Sequence, residues 1–418
     1  MAHHLKLKVI TTLSATLEFY DFTLLIFLAQ VFAVQFFPEI SGVSGIMPVL
    51  MIFFAGYLAR FVGGVWYGHG GDTGGRKHYY MYSIILMSIS TLGIALLPSY
   101  NSWGIMAPLS LLLLRVLQGL SLGGEIPGAV VYAAEYSENH RRGFATGLVV
   151  SGVTLGNVLA SLVVSLLFNW FGNDAVYEWA WRLAFGMGSI LGLISLWVRF
   201  SLQETPVYAT LPTRKKRLWP SIHIIKTQKL SLLRGLFLSG VPAVVISTLF
   251  FMPRYQTYFL HIPEQTTFKI STLAFFLLAV MALVMAIISD KIGRLLLIRF
   301  GSLALGIIFP LCIAFLVDHQ LSPFMALLPV IIASSMIMGV YEVAMLELFA
   351  TEIRYSGIGI CHNLGFCLFG GLTPLFLEWL CEKGYLLAPG IWVGLISIGL
   401  FVLTYRWQDK YRHTLIAI

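Results

Sequence analysis

The residues able to do chemistry in this sequence sit where charge is least welcome. Glu18 and Asp21 fall near the middle of one long apolar run, Arg115 near the middle of another, and Arg60, Glu125 and Glu342 inside three more. A charge in hydrocarbon costs about 2.5–3.5 kcal/mol on insertion scales, so each needs a reason. A carboxyl held away from water can take up a proton near neutrality if nothing pairs with it. Asp21, Glu18, Glu125 and Glu342 are therefore candidate proton carriers. Arginine keeps its charge under such conditions. Arg115, with Gln118 one turn further on, is a candidate anchor for an anionic group, against the plainer reading of a static salt bridge between helices. Glu125 comes ten residues after Arg115 and seven after Gln118, on the same helix face as Gln118. Its neighbours Gly119, Gly123, Gly124 and Gly128 permit close helix approach, so proton relay and helix lock are equally open to it.

The elements that must position these residues follow from composition. The chain has 418 residues, 58% hydrophobic and 11% charged, where a soluble domain carries roughly 25% charge. Mean hydropathy is +0.84. Such a chain is not a soluble enzyme, a disordered scaffold or a secreted disulfide domain; its solvent is lipid. Spanning helices need about 20 residues each. The gaps between charges and turn residues place spans near 10–37, 44–67, 79–97, 104–134, 144–170 and 180–199, then near 234–260, 268–289, 296–317, 323–350, 356–380 and 385–405. The expected fold is an all-α membrane protein of twelve transmembrane helices in two six-helix bundles.

Orientation follows from the 27 Lys and Arg residues. The outer loops receive only Arg182, Arg254, Lys269 and Lys383, and Arg60 and Arg115 lie inside spans; the rest gather at ends that the positive-inside rule assigns to the cytoplasm, together with both termini. The same placement turns the net charge of +8 away from nucleic acid and toward a bilayer. Lys6 and Lys8 precede an apolar stretch without a small-residue cleavage pattern, which reads as a retained first helix. Cys312, Cys361, Cys367 and Cys381 form no C-x-x-C and read as buried free thiols.

The longest polar segment, 201–233 with Arg214-Lys215-Lys216-Arg217, divides residues 1–200 from 234–418, six spans from six. A repeat supports the division. Asp72-Thr73-Gly74-Gly75-Arg76 follows span 2, and Asp290-Lys291-Ile292-Gly293-Arg294 follows span 8; both read D-x-x-G-R. A looser echo relates Glu135, Arg142 and Gly143 after span 4 to Glu352, Arg354 and Gly357 after span 10. Two related halves imply alternating access around a site at their interface, near mid-membrane.

The run from Gly68 to Lys77, His69 included, resembles the loop 2–3 signature of the major facilitator superfamily. Arg115-x-x-Gln118-Gly119-x-Ser121-x-Gly123-Gly124-Glu125 is similar to a motif of its metabolite–proton symporter family, as are Thr351–Gly357, Asn363, Gly370–Pro374, Glu18–Phe22 and Gln203–Pro206. Phe61 after Arg60, His362 before Asn363, and Glu342 depart from that pattern. The resemblance implies that spans 1, 4, 7 and 10 line a central cavity. Asp21 would then face Arg115, and protonating Asp21 would free Arg115 for an anionic substrate. It also implies that Asp72, Arg76, Glu135 and Arg142, with Asp290 and Arg294 of the repeat, close an inner gate. Arg60 would join that gate or capture an anion, unless it merely snorkels. Tyr20, Tyr57, Asn157, Tyr255, Tyr258, His362 and Asn363 are candidate substrate contacts.

Other matches carry nothing. Gly119-Leu120-Ser121-Leu122-Gly123 fits G-x-S-x-G but lies within an apolar helix instead of a strand–helix turn. There is no P-loop and no H-E-x-x-H, so no cofactor, metal or enzymatic activity is expected. The expected function is a proton-coupled symporter of a bacterial inner membrane, acting as a monomer on a small molecule and protons. Arg115, Arg60, Arg254 and Lys269 favour an organic acid or polycarboxylate. A zwitterionic osmolyte symporter, a proton-driven efflux antiporter and a non-transporting sensor are the alternatives. Against the osmolyte reading, osmosensory members of the family carry a coiled coil that this sequence does not include.

Overall fold

A computed structural model describes residues 2–38, 46–74, 76–199 and 220–408. Helices make up nearly all of it, and no strand occurs among the described residues. In hydrocarbon the backbone has no partner but itself, and a helix satisfies it locally. Eight stretches are long and apolar enough to cross a membrane, or nine counting the pair Ala15–Phe27 and Ala29–Phe36, bent by 60°. One of the eight, Asn139–Trp197, has 59 residues, far more than one crossing needs at about 1.5 Å per residue. It holds two helices, Arg142–Ala175 and Trp181–Arg199, the first interrupted where Gly172 takes a φ of 76°. Arg76–Ala95 and the shorter Ala388–Leu403 fill the places of spans 3 and 12. The set is consistent with twelve passes.

The helices outrun the apolar stretches. Span 2 is Ile46–Gly74 and span 8 is Glu264–Ile292, so Asp72 and Asp290 stand in the last turns of helices, not in loops. Hydropathy marks the part of a helix that meets lipid; hydrogen bonding carries the helix further. Span 7, Lys229–Arg254, likewise begins before residue 234, preceded by a short helix Pro220–Thr227. The remainder of the linker, with Gln203–Pro206 and Arg214–Arg217, lies outside the described residues. Among the described residues, three further spans are broken. Span 1 bends at Leu28. Span 10 divides into Pro323–Met338 and Tyr341–Leu346. In span 11, Arg354–Gly365 and Leu372–Glu382 are joined by a π-helical turn, Phe366–Gly371. Such turns frequently mark functional sites.

Spans 1, 3 and 6 pack together, as do spans 2, 3 and 4 (Met106–Glu135), while span 5 lies against span 1. In the second half, span 7 packs on spans 11 and 12, and span 10 on spans 8 and 9 (Arg294–Val317). The halves meet where span 2 lies on span 11 and where span 5 lies on span 8. Under the repeat these are one contact made twice. Glycine sets the depth of the span 2–4 contact: a Cβ on Gly63 would fall 2.1 Å from the Leu120 carbonyl oxygen, and one on Gly119 2.1 Å from that of Gly56. Backbone therefore touches backbone. Met51, Trp66, Leu96, Trp197 and Leu395 point outward, as a lipid-facing surface requires.

Candidate functional site

At the end carrying Asp72 and Asp290, each acid caps a helix of the opposite half. Asp72 Oδ2 accepts from the Ser356 N–H at the start of span 11, 2.8 Å. Asp290 accepts from the Gly143 and Phe144 N–H groups at the start of span 5, 2.9 and 2.8 Å. A helix N-terminus offers free N–H groups and a positive dipole end, so each contact is charge-assisted. Arg354 reaches back to Glu135, 3.1 Å, both fully buried. Arg294 lies 3.0 Å from Asp290 and 3.6 Å from Glu347. Arg142 donates to Asn139 and feels the charges of Glu347 and Asp290. The echo read from the sequence is thus corrected: the partner of Glu135 in the repeat is Glu347, not Glu352. Glu135 precedes Arg142 by seven residues, as Glu347 precedes Arg354. The Arg76 side chain lies outside the described residues. Beside this end the His69 carbonyl accepts from the Thr73 hydroxyl.

Deeper in the first half, Asp21 and Arg115 belong to one chain without touching. Arg115 donates to Gln118 Oε1, 3.1 Å; Gln118 Nε2 donates to Thr91 Oγ1, 2.9 Å; Thr91 Oγ1 donates to Asp21 Oδ2, 3.3 Å. Every donor points from the cation toward the carboxylate. The expected face-to-face pair is therefore replaced by a relay, because Asp21 turns toward spans 3 and 6. A Cβ on Gly188 of span 6 would fall 1.8 Å from Asp21 Oδ1, and that oxygen has no hydrogen-bond partner. Arg115 also donates to the Phe22 carbonyl, 2.9 Å, and stacks on the Phe22 ring, 3.8 Å. Its Nε and second terminal nitrogen have no hydrogen-bond partner. Thr91 was not singled out in the sequence: a hydroxyl in an apolar run carries no charge to notice.

A second buried cluster bridges the halves. Arg60 of span 2 donates from Nε to Asn363 Oδ1, 2.7 Å, and meets His362 Nε2 at 2.5 Å. His362 Nδ1 lies 2.7 Å from Glu342 Oε1 on the short helix of span 10. The guanidinium stands over the Phe366 ring, 4.6 Å, and the imidazole stacks on the same ring, 4.5 Å. Asn363 also donates to the Gly123 carbonyl of span 4, 2.8 Å. Arg60, read as a gate or snorkelling residue, is fully buried and does not snorkel. Glu342, His362 and Asn363, separate candidates in the sequence, are neighbours here.

The remaining candidates divide. Tyr20 and Tyr255 donate to the Ala184 and Leu386 carbonyls, 2.9 and 2.7 Å, and tie helices together. Tyr57 packs edge-on against Phe22 and Phe53. Glu18 and Glu125 are buried, Glu125 within the field of Tyr67 and Tyr80. Asn157 is fully buried with neither amide atom bonded, and so is Gln256 of span 7's terminal turn, which the sequence reading passed over. Buried amides of this kind call for an explanation, and a polar ligand supplies one. At the opposite end from these caps, between the halves, lies a cavity of about 750 Å³, lined by Phe27 and Gln30 of span 1, Phe250, Arg254 and Tyr258 of span 7, and Phe268 of span 8. Arg254, expected as a free cation at this mouth, is paired with fully buried Glu378, 2.8 Å, and stacks on Tyr258, 4.1 Å.

Two helical halves are thus joined at one end by buried polar contacts and enclose a cavity at the other. The Major Facilitator Superfamily profile matches residues 11–374, and this chain belongs to that family of transporters, which are not enzymes. It is 32% identical to the proline/betaine transporter of Salmonella typhimurium, over 93% of this chain and 80% of that one. It is equally similar, at 32%, to the glycine betaine/proline/ectoine/pipecolic acid transporter OusA of Dickeya dadantii, over 92% and 79%. Among solved structures, the proton:xylose symporter XylE bound to 6-bromo-6-deoxy-D-glucose superposes with a TM-score of 0.84 at 16% identity, covering 99% of this chain and 98% of that one.

Proposed function

We propose that the chain is a proton-coupled importer of small zwitterionic osmolytes, of the proline and betaine kind. It works as a monomer by alternating access in a bacterial inner membrane, with both termini in the cytoplasm. The halves are residues 1–200 and 234–418, joined by 201–233. One observation carries the substrate class: each buried arginine is matched by a buried acid in its own cluster, Arg115 by Asp21 and Arg60 by Glu342. The organic-acid expectation rested on unbalanced cations, and Arg254 too is neutralised. With neither arginine left as an unbalanced cation, a ligand that is itself net neutral is favoured over an anion. The names of the relatives support the same choice.

The carboxylate of such a ligand engages the two free nitrogens of Arg115. Its cationic end finds the aromatic faces nearby, Phe22, Phe53 and Tyr57, with Phe27 and Phe250 on the way in. Asp21 carries the proton. As a carboxylate it draws the relay taut and holds Arg115 on Gln118; once protonated it no longer needs Thr91 as donor, and Arg115 turns to the substrate. The test uses proteoliposomes loaded with a pH-sensitive dye and offered proline, glycine betaine, citrate and succinate in turn. Internal acidification with proline or betaine, lost in Asp21→Asn, is the expected result. Acidification with the carboxylates alone restores the organic-acid reading, and alkalinisation indicates antiport.

A further inference from the structure

The cluster at Arg60 has a donor–acceptor arithmetic that fixes the state of its histidine. A guanidinium is donor only, so His362 Nε2, 2.5 Å from Arg60, must accept. The ring proton then sits on Nδ1, and Glu342 Oε1 lies 2.7 Å from that nitrogen without accepting a well-aligned hydrogen bond from it. The structure thus holds a neutral imidazole, with a cation on one nitrogen and a carboxylate on the other. A second proton has one place to go, Nε2, and an imidazolium has no lone pair left to accept from Arg60. Two cations would then share a buried contact where like charges repel strongly.

We propose that His362 is a proton-binding site of its own, separate from Asp21, and that loading it expels Arg60 and parts span 2 from span 11. The contact that breaks spans the two halves: Arg60 belongs to the first, His362 and Glu342 to the second. The surroundings contain few competitors. Tyr57 of span 2 lies beneath Arg60, 5.9 Å from the guanidinium, and Phe19 of span 1 at 5.8 Å. Span 10 contributes Tyr341, its ring 6.0 Å from the imidazole, beside Glu342. Span 11 adds Asn363 and, within the field of Arg60, Cys367. Of the residue types around Arg60, histidine alone has a reference pKa near neutrality, and Glu342 lies beside it to balance the charge it gains. The cluster lies on the same helices as the Asp72–Ser356 cap, so releasing Arg60 removes an upper rung of the ladder that keeps this end shut.

Nitroxide labels at H78C and E352C, on the gate end of each half, report the separation in the full-length protein in nanodiscs without substrate. Between pH 8.5 and pH 5 the short-distance population falls in the otherwise unaltered chain. It stays constant in His362→Gln, whose amide can accept from Arg60 and donate to Glu342 but cannot titrate. In Glu342→Gln the transition moves to lower pH, because the anion that balances the imidazolium is gone. This second variant decides the matter if His362→Gln does not fold. Asp21→Asn keeps the unaltered profile. A pH response that survives in His362→Gln, or one abolished by Asp21→Asn, overturns the proposal, as does a flat profile in the unaltered chain. None of these outcomes depends on which solute is carried.

Discussion

The two seams between the halves, span 2 on span 11 and span 5 on span 8, are related by the internal repeat yet filled differently. At the gate end they agree: an aspartate from one half caps a helix of the other, Asp72 on Ser356 and Asp290 on Gly143 and Phe144. Further in they part. The span 2–11 seam holds Arg60, His362 and Asn363, with Glu342 behind. Among the described residues the span 5–8 seam is joined there by hydroxyls, Ser151 on the Ala279 carbonyl at 3.0 Å and Ser161 on Thr272 at 2.8 Å. The repeat supplies a symmetric clasp at this end. Among the described residues, the Arg60–His362–Glu342 cluster stands on the span 2–11 seam, while hydroxyls join the span 5–8 seam.

Removing the charge from the loaded seam is the most damaging change available. Arg60→Ala leaves Glu342 and the Asn363 carbonyl buried without their cation, and breaking a buried pair from one side costs about 3–5 kcal/mol. A large drop in melting temperature in detergent, together with loss of uptake, is expected. A melting curve within a degree of the unaltered chain would show that the seam is not held by this cluster, and the contrast with span 5–8 would collapse. The shared clasp comes next. Asp72→Asn and Asp290→Asn each weaken a charge-assisted contact with a helix N-terminus, worth about 1–2 kcal/mol. Because the repeat equates them, both should raise the rate at which a gate-end cysteine reacts with a water-soluble thiol reagent, and by similar factors. A strong effect at Asp72 with none at Asp290 would mean that the gate is one-sided.

How much of this the sequence displays depends on whether a feature is local. Spans are legible because hydropathy is summed over neighbours, and the repeat because D-x-x-G-R is contiguous. Glu347 was legible in principle, since its seven-residue spacing to Arg354 copies that of Glu135 to Arg142, but the nearer Glu352 masks it. The Arg254–Glu378 pair, with partners 124 positions apart, is not readable from either end, so Arg254 looks like a free cation. Thr91 is invisible for another reason: its value comes from bridging Gln118 to Asp21, and nothing in a threonine announces a bridge. Glu342 and His362 stand out singly as departures from the family pattern, and Arg60 as a charge inside a span. Their proximity required the fold.

A smaller effect tests whether the gate acts as a network or as separate rungs. Glu135→Gln and Arg354→Gln each leave one buried member of the 3.1 Å pair without its counter-charge, whereas the double replacement removes both charges together. If the pair is a direct contact, the double variant is less impaired than the sum of the singles, with a coupling of about 1–3 kcal/mol in thermal unfolding.

The neutral seam sets the lower bound. Ser151→Ala deletes one hydroxyl bond to a carbonyl, and a typical net hydrogen bond is worth about 0.5–1.5 kcal/mol. The span 5–8 hydroxyls also have a cheap alternative, because a helical serine can turn its hydroxyl back onto its own helix. The expected consequence is a change of stability of about 1 kcal/mol or less, and uptake whose pH profile is superimposable on that of the unaltered chain even where its amplitude drops. Uptake measured from pH 5 to pH 8.5 is the decisive readout, since amplitude alone would not separate packing from proton chemistry. A displaced profile in Ser151→Ala would place proton sensitivity on the hydroxyl seam as well, and the division of labour between the two seams would have to be given up.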